Sequence, residues 1–265
     1  MNPSKEAALA WEERWSRPVA AAALGGILLI VIAIVVAVQG VGSSDGDSEL
    51  LRNVDAQRSA QLLSSILQAI GVALLAVPLY YLFRAANARS ETMRGQLVGV
   101  VVAAPLFLGV LAVLSGLSTL SAASDFVADE VPRLIANGVS LSSERANDVA
   151  NDTIVDAPLR PLAAGFGLGG QIGFLVAMFY TSMHAMRTGL LTRFWGSLGM
   201  ALGAVSFLFF QFALLWFVYL GLLLAGWVPG GKPPAWQSGE AEPWPTPGEK
   251  AAEELDETPE DDRPR

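Results

Sequence analysis

Five stretches of this chain, residues 19–38, 62–83, 97–120, 162–183 and 195–228, contain no Asp, Glu, Lys or Arg. A helix rises about 1.5 Å per residue and the hydrocarbon core of a bilayer is about 30 Å thick, so about 20 apolar residues reach across it. That core holds no water to satisfy a backbone amide, and a helix lets one segment close all of its own hydrogen bonds. The pattern predicts an all-α polytopic membrane bundle of five transmembrane helices. Composition agrees, with 52% hydrophobic and 16% charged residues, against about a quarter charged in soluble domains. The first stretch exceeds the about 7–15 apolar residues of a signal peptide, and Ala37-Val38-Gln39 is a poor cleavage site, so it reads as a retained span.

Lys and Arg at the span ends set the orientation. Lys5, Arg14 and Arg17, then Arg84, Arg89 and Arg94, then Arg187 and Arg193 crowd three short segments, while the first and third connections hold sparser Arg among many acids. The N-terminus is therefore expected in the cytoplasm. Five spans carry the tail to the opposite side, and one span more or fewer reverses this, so the side of the tail stays open. The fifth stretch would reach about 51 Å as a helix, more than one crossing and less than two. No Pro or polar turn interrupts it, so it reads as one long, tilted or protruding helix. Phe194, Trp195 and Trp227 suit its interfacial ends.

Outside the spans, residues 1–18 suit a cytoplasmic amphipathic helix that starts after Ser4, with Trp11 and Trp15 on one face. In the loop 121–160, Phe126, Val127, Val131, Leu134 and Ile135 recur at helical spacing, and Ser143 can cap a second helix bearing Val149. These predict a small helical outer cap. Residues 229–265 hold four basic and ten acidic residues among many prolines, which predicts a disordered acidic tail.

Candidate chemistry is sparse. The chain has no Cys and one His, so disulfides, thiolate metal sites and Cys nucleophiles are excluded, and neither a metal nor a cofactor is expected. His184 lies just past the fourth span with no partner nearby in sequence and reads as an interfacial cap. The acids Asp125, Asp129, Glu130, Asp148, Asp152 and Asp156 lack the spacing of a calcium loop and read as a solvated face. No basic stripe suited to nucleic acid and no nucleotide or hydrolase fingerprint is present. Gly165, Gly169 and Gly173, with Gly167 and Gly170 beside them, predict a helix-packing face on the fourth span, as do Gly199 and Gly203 in the fifth and Gly95 and Gly99 at the third. Pro78 and Pro105 predict kinks. Gln68, Gln171 and Gln211 are the most polar side chains expected at depth. They read as interhelical glue or, if they converge, as the wall of a path, and their neutrality argues against proton coupling. Trp236 and Trp244, between prolines of the tail, are candidates to present an extended ligand to a partner.

Three segments carry a resemblance: Arg187-Thr-Gly-Leu-Leu-Thr-Arg193-Phe-Trp-Gly-Ser-Leu-Gly, Pro78-Leu-Tyr-Tyr-Leu-Phe-Arg84, and Pro-Pro-Ala-Trp236-Gln-Ser-Gly-Glu-Ala-Glu-Pro-Trp244-Pro. The chain is similar in these to uncharacterised actinobacterial multi-pass integral membrane proteins. The resemblance implies a bacterial cytoplasmic membrane and no particular activity. The expected role is a non-enzymatic interaction or accessory protein whose partners are membrane lipid and another protein or a second copy. The alternative is a small-solute transporter or channel. Three amides meeting at one depth beside a water-sized cavity would favour the alternative; a dry, filled bundle would favour the interaction role.

Overall fold

The computed structural model of the chain describes residues 5–42 and 44–245, and these are helical with no strand among them. Four apolar units are long enough to cross a membrane. The first is α1, Lys5–Val41. The second is the pair α3, Arg58–Leu74, and α4, Ala76–Arg89. The third is α5, Val98–Asp125, prolonged by a π-helical turn Phe126–Glu130 and by α6, Val131–Ala136. The fourth is α8, Arg160–Arg187. Pro78 has no N–H to give the carbonyl of Leu74, and the helix falters at Leu75 between α3 and α4. Pro105 is absorbed inside α5 without a break.

The fifth expected span divides. It forms α9, Arg193–Val205, and α10, Phe210–Ala225, of 13 and 16 residues, about 20 and 24 Å long and each short of a full crossing. Helix α9 runs back along α8: a Cβ added to Gly203 would stand 2.9 Å from the Cβ of Met178, and one on Gly196 would stand 2.5 Å from that of Met186. Helix α10 then returns along α1, where a Cβ on Gly221 would meet Leu24 at 2.8 Å and the Ser16 hydroxyl donates to the Leu224 carbonyl at 2.6 Å. The hairpin thus enters and leaves by one face and turns at Ser206–Phe209, beside the middle of α8.

Four apolar units are thus long enough to cross a membrane, with Phe210–Ala225 a shorter apolar helix, and the chain after α10 emerges on the face that carries the N-terminus, here the terminal face. Neither Pro nor Gly marks the turn. Ser206 donates its hydroxyl to the Gly203 carbonyl at 2.7 Å, closing α9 from within, and Phe209 leaves helical geometry at φ −139° and ψ 77°. The α10 end is conventional: Gly226 takes φ 79°, and the Trp227 N–H donates to the Leu222 carbonyl at 2.9 Å.

The amphipathic N-terminal helix is not a separate element. α1 is continuous from Lys5 through Pro18 into the membrane stretch, and it stacks Trp11 on Tyr81 of α4. At the opposite face, the cap is as expected and larger. Helix α7, Glu144–Val155, has Ser143 Oγ accepting from the Ala146 N–H. Helix α2, Asp47–Ala56, which the sequence did not mark, adds Leu51 and Val54 to a core with Phe126, Leu134, Ala146 and Ala150.

The packing stripe of α8 is rotated from the expected one. Gly165 has no atom within 4 Å of an added Cβ, and Gly169 only a Phe107 ring edge at 3.7 Å. Gly170 and Gly173 make the close approach to α5, at 2.9 Å from Leu108 and from the Ala104 Cβ. The reason is the 3.6-residue turn: the buried face reads Ala163, Gly167, Gly170, Phe174, Ala177, and strict spacing by four drifts off it. Gly199 and Gly203 pack as expected, Gly199 against Ser182 and Trp216. An unexpected pair, Gly26 and Gly71, lets α1 and α3 touch backbone to backbone, each added Cβ falling 2.7 Å from the other's carbonyl oxygen.

Gly170→Leu is expected to destabilise the protein by about 1–3 kcal/mol through overpacking, while Gly165→Leu leaves thermal unfolding in detergent unchanged. Equal losses for both would show that the two faces are not distinguished in this way.

Candidate functional site

Helix α3 lines up Gln61, Ser64, Ser65 and Gln68 at intervals of three and four residues, so they share one face. That face, together with Leu108 to Thr119 of α5, Gln171 of α8 and the first residues of α10, lines an open cavity of about 410 Å³. Gln68, Gln171 and Gln211 all line it. Among the described residues, no Asp, Glu, Lys or Arg does.

Three hydroxyls in the wall are satisfied by backbone. Ser64 donates to the Ala33 carbonyl, Ser65 to Gln61 and Thr119 to Ser115, each at 2.9 Å. The three carboxamides make no hydrogen bond to any described residue. Each amide carries two donors and an acceptor, so the cavity presents unpaired hydrogen-bonding capacity, with Gln171 half-buried and Gln68 and Gln211 exposed. The glue reading is not met, since glue requires the amides to bond one another or a neighbouring helix. The polar stripe on α3 was readable in the sequence as Gln61, Ser64, Ser65, Gln68 at helical spacing; the approach of α10 was not.

Below the chamber, towards the terminal face, the bundle is filled. Phe174 lies 5.3 Å from Phe210 and 6.0 Å from Phe217, ring centre to ring centre. Trp216 is fully buried and donates its Nε1–H to the Trp195 carbonyl at 3.0 Å. Further along α8, Thr181 Oγ1, Ser182 Oγ and His184 Nδ1 are buried without a partner. His184, in the last turn of α8, is buried by protein, its ring centre 4.5 Å from that of Tyr180. Tyr180 is itself held by the Arg94 N–H, which donates to its hydroxyl at 2.6 Å.

The terminal face carries a second cluster, built around a buried ion pair. Both Arg89 guanidinium N–H groups reach the Glu12 carboxylate, at 2.5 and 2.8 Å, with both side chains at 5% exposure or less. Arg89 Nε–H donates to the Ala235 carbonyl at 3.1 Å, and the Tyr81 hydroxyl to the Glu12 carbonyl at 2.7 Å. Over this pair lies the chain after α10, including the short helix α11, Ala235–Ser238. Trp236 stacks on Tyr81 at 5.8 Å and donates its indole N–H to the Leu190 carbonyl at 2.9 Å. Trp244 donates to Leu191 at 2.9 Å, and the Glu242 N–H to Thr188 at 3.1 Å. Gly189, at φ 77°, lies against the Glu242 carbonyl, where a Cβ would clash.

The expected free tether is thereby corrected for residues 229–245, which form a strap on the protein's own surface. The reason is that two indoles find both apolar cover and carbonyl acceptors there. Residues 246–265, the rest of the expected disordered tail, lie outside the described residues. Lys232 donates to Ser16 Oγ at 2.7 Å. Burial pulls its ammonium below the usual lysine range, while the Glu12 and Glu13 carboxylates pull it back. Lys5 pairs with Glu240 at 2.6 Å, and its hydrogen bond and charge hold that exposed carboxyl below its ordinary value.

Among the described residues, no three His, Asp or Glu side chains are grouped so as to hold a metal ion. The chain matches no family model, no curated protein and no solved structure.

Two substitutions test the strap. Trp236→Ala is expected to cost about 3–5 kcal/mol as a large buried ring is removed. Arg89→Leu is expected to cost a similar amount, because Glu12 is left buried and unpaired. Both are read by unfolding of the purified protein in detergent; wild-type stability in both would show that the strap adds nothing to the fold.

Proposed function

We propose that this protein binds an uncharged, hydrogen-bonding molecule in the three-glutamine chamber and belongs with small-solute carriers and channels, not with proteins whose spans serve only to pack. The observation that carries the reading is the convergence of Gln68, Gln171 and Gln211, from three helices distant in sequence, on one 410 Å³ cavity with their amides unpaired. An amide without a partner in hydrocarbon is costly, so such a cavity is stable only with water or a ligand in it. Its volume lies within the range of about 300–1,000 Å³ common to small-molecule sites.

The absence of charge from the described lining selects against ions, which would leave their hydration without a counter-charge. The aromatic packing of Phe174, Phe210 and Phe217 lies between the chamber and the terminal face and supports the reading of a carrier in one state, with the α9–α10 hairpin as its floor. A half-length hairpin rooted on one face is the element that can move without unmaking a full crossing. The tail indoles Trp236 and Trp244, candidates to present a ligand to a partner, are both engaged within the chain.

In this reading the protein sits in a bacterial cytoplasmic membrane with the terminal face inward. The basic residues of the N-terminus, the α4–α5 loop and the α8–α9 loop support that side. The chemistry proposed is binding and movement without bond making.

Replacing all three glutamines by Leu is expected to leave the melting temperature unchanged or raised, because no protein hydrogen bond is lost. The same variant is expected to lose an uncharged species that mass spectrometry detects with the purified wild-type protein. A lowered melting temperature would restore the glue reading, and an unchanged set of bound molecules would remove the chamber from function. For orientation, a Cys placed at Ser140 is expected to react with an impermeant maleimide on intact cells and one at Ser90 is not; the reverse pattern would invert the topology.

A further inference from the structure

We infer that the ligand of the chamber is an amphiphile with an uncharged, hydroxyl- or ester-bearing head, taken sideways from the membrane through a gap between α1 and α8. This rests on the reading of the chamber as a binding site and adds the class of molecule and its route.

The gap follows from the length of the hairpin. On the terminal side, the interval between α1 and α8 is filled: α10 packs on α1 at Gly221, and α9 packs on α8 at Gly199 and Gly203. Both short helices stop at the turn Ser206–Phe209. Beyond it, towards the cap face, no described helix stands between α1 and α8. There α1 buries Ala33 towards α3 and exposes Val31, Ile34, Val35 and Val38. On α8 the buried residues are Ala163, Gly167 and Gly170, the two glycines facing α5, while Leu162, Leu168 and Ile172 are exposed. The chamber lies behind this missing wall, bordered by Ala37 of α1, Gln171 of α8 and Gln211 of α10. Gln68 and Gln211 are accordingly exposed although they lie in apolar helices.

The opening has the polarity profile of a lipid. Its rim is apolar, with Val38 63% exposed and Leu208 at the hairpin tip 75% exposed. The carboxamides stand behind that rim. An acyl chain can lie along Val35, Val38, Leu168 and Ile172 while the head reaches the glutamines. Helix α10 begins at the chamber, which Phe210 and Gln211 line, without a side-chain cap, so its first N–H groups suit the carbonyl or hydroxyl oxygens of such a head. A phosphate head is disfavoured, because no cation lines the chamber among the described residues. Arg160 lies in an adjoining cavity of about 260 Å³ that shares Leu111, Ser115 and Thr119 with the chamber. Its guanidinium already donates to the Ile154 carbonyl at 3.2 Å.

The test uses the full chain in phosphatidylcholine nanodiscs with a photoreactive diacylglycerol as probe. The expected result is cross-linking to residues within 207–212 that unlabelled dioleoylglycerol competes away and water-soluble glycerol does not. Gln211→Leu is expected to reduce labelling by about fivefold, the loss for one hydrogen bond between neutral groups. The pair Val38→Trp and Ile172→Trp, both at exposed positions that tolerate bulk, is expected to reduce it at least as much by filling the gap, with the melting temperature unchanged. Competition by glycerol, or full labelling in the double Trp variant together with loss in Gln211→Leu, would overturn the lateral route and leave the chamber as a site reached from water. Equal labelling by the same acyl chains on phosphatidylglycerol would overturn the uncharged head. Labelling unaffected by Gln211→Leu and by Gln68→Leu would overturn both this inference and the binding role of the chamber.

Discussion

A backbone amide or carbonyl without a partner in hydrocarbon costs several kcal/mol, and the place where this chain meets that constraint is the turn Ser206–Phe209. A full crossing avoids the cost by running helix from face to face. Here the helix stops at about half depth, reverses, and returns to the face it came from. Unwound backbone at membrane depth is stable where it is covered by protein or borders a polar cavity. At the turn Ser206 is buried while Phe207, Leu208 and Phe209 are exposed; the next residue, Phe210, packs on Phe174 and borders the three-glutamine chamber. Chamber and turn are thus one arrangement. The cavity makes the turn tolerable, and the short hairpin leaves the space that becomes the cavity.

The terminal face explains how a half-length hairpin stays in place. Its roots, the α8–α9 loop and the end of α10, are both covered by the strap, through Leu190, Leu191 and Thr188 on one side and Ser16, Leu224 and Lys232 on the other. Beneath the strap, the Arg89–Glu12 pair joins α4 to α1 with two charge-assisted bonds. A buried pair of this kind gains little over an apolar contact in stability, but it is severe towards any arrangement that separates the partners. Arg84 over Trp11, 4.1 Å from the ring centre, adds a second tie between the same helices. The strap is therefore placed to govern the hairpin, and the hairpin is the floor of the chamber.

The packing of α8 shows the same economy of space at the level of single atoms. Glycine lets two backbones approach only on the face turned to a neighbour, and on α8 that face is Gly167, Gly170 and Gly173 against α5. Gly165 and Gly169 lie off that face: an added Cβ at Gly165 would meet no atom within 4 Å, and one at Gly169 only the Phe107 ring edge at 3.7 Å.

The sequence by itself determined the helical class, the first four long apolar helices, the kink before Pro78 and the cap helix started by Ser143, because each rests on local physics: apolar length, a missing N–H, a hydroxyl at a helix start. It also singled out Gln68, Gln171 and Gln211, since amides in apolar runs are conspicuous on composition alone. Only the tertiary structure decided that the last apolar stretch folds back. Thirty-four uncharged residues are compatible with one long helix or two short ones, and the choice depends on whether α8 and α1 offer surfaces for both halves. It likewise decided the strap, since Trp236 in a charged, proline-rich segment reads as solvated until Tyr81 and the Leu190 carbonyl are brought beneath it. The convergence of the amides was equally beyond local reading, for their depth and facing are fixed by how four helices cross, and crossing geometry is a property of pairs of surfaces that no single segment contains.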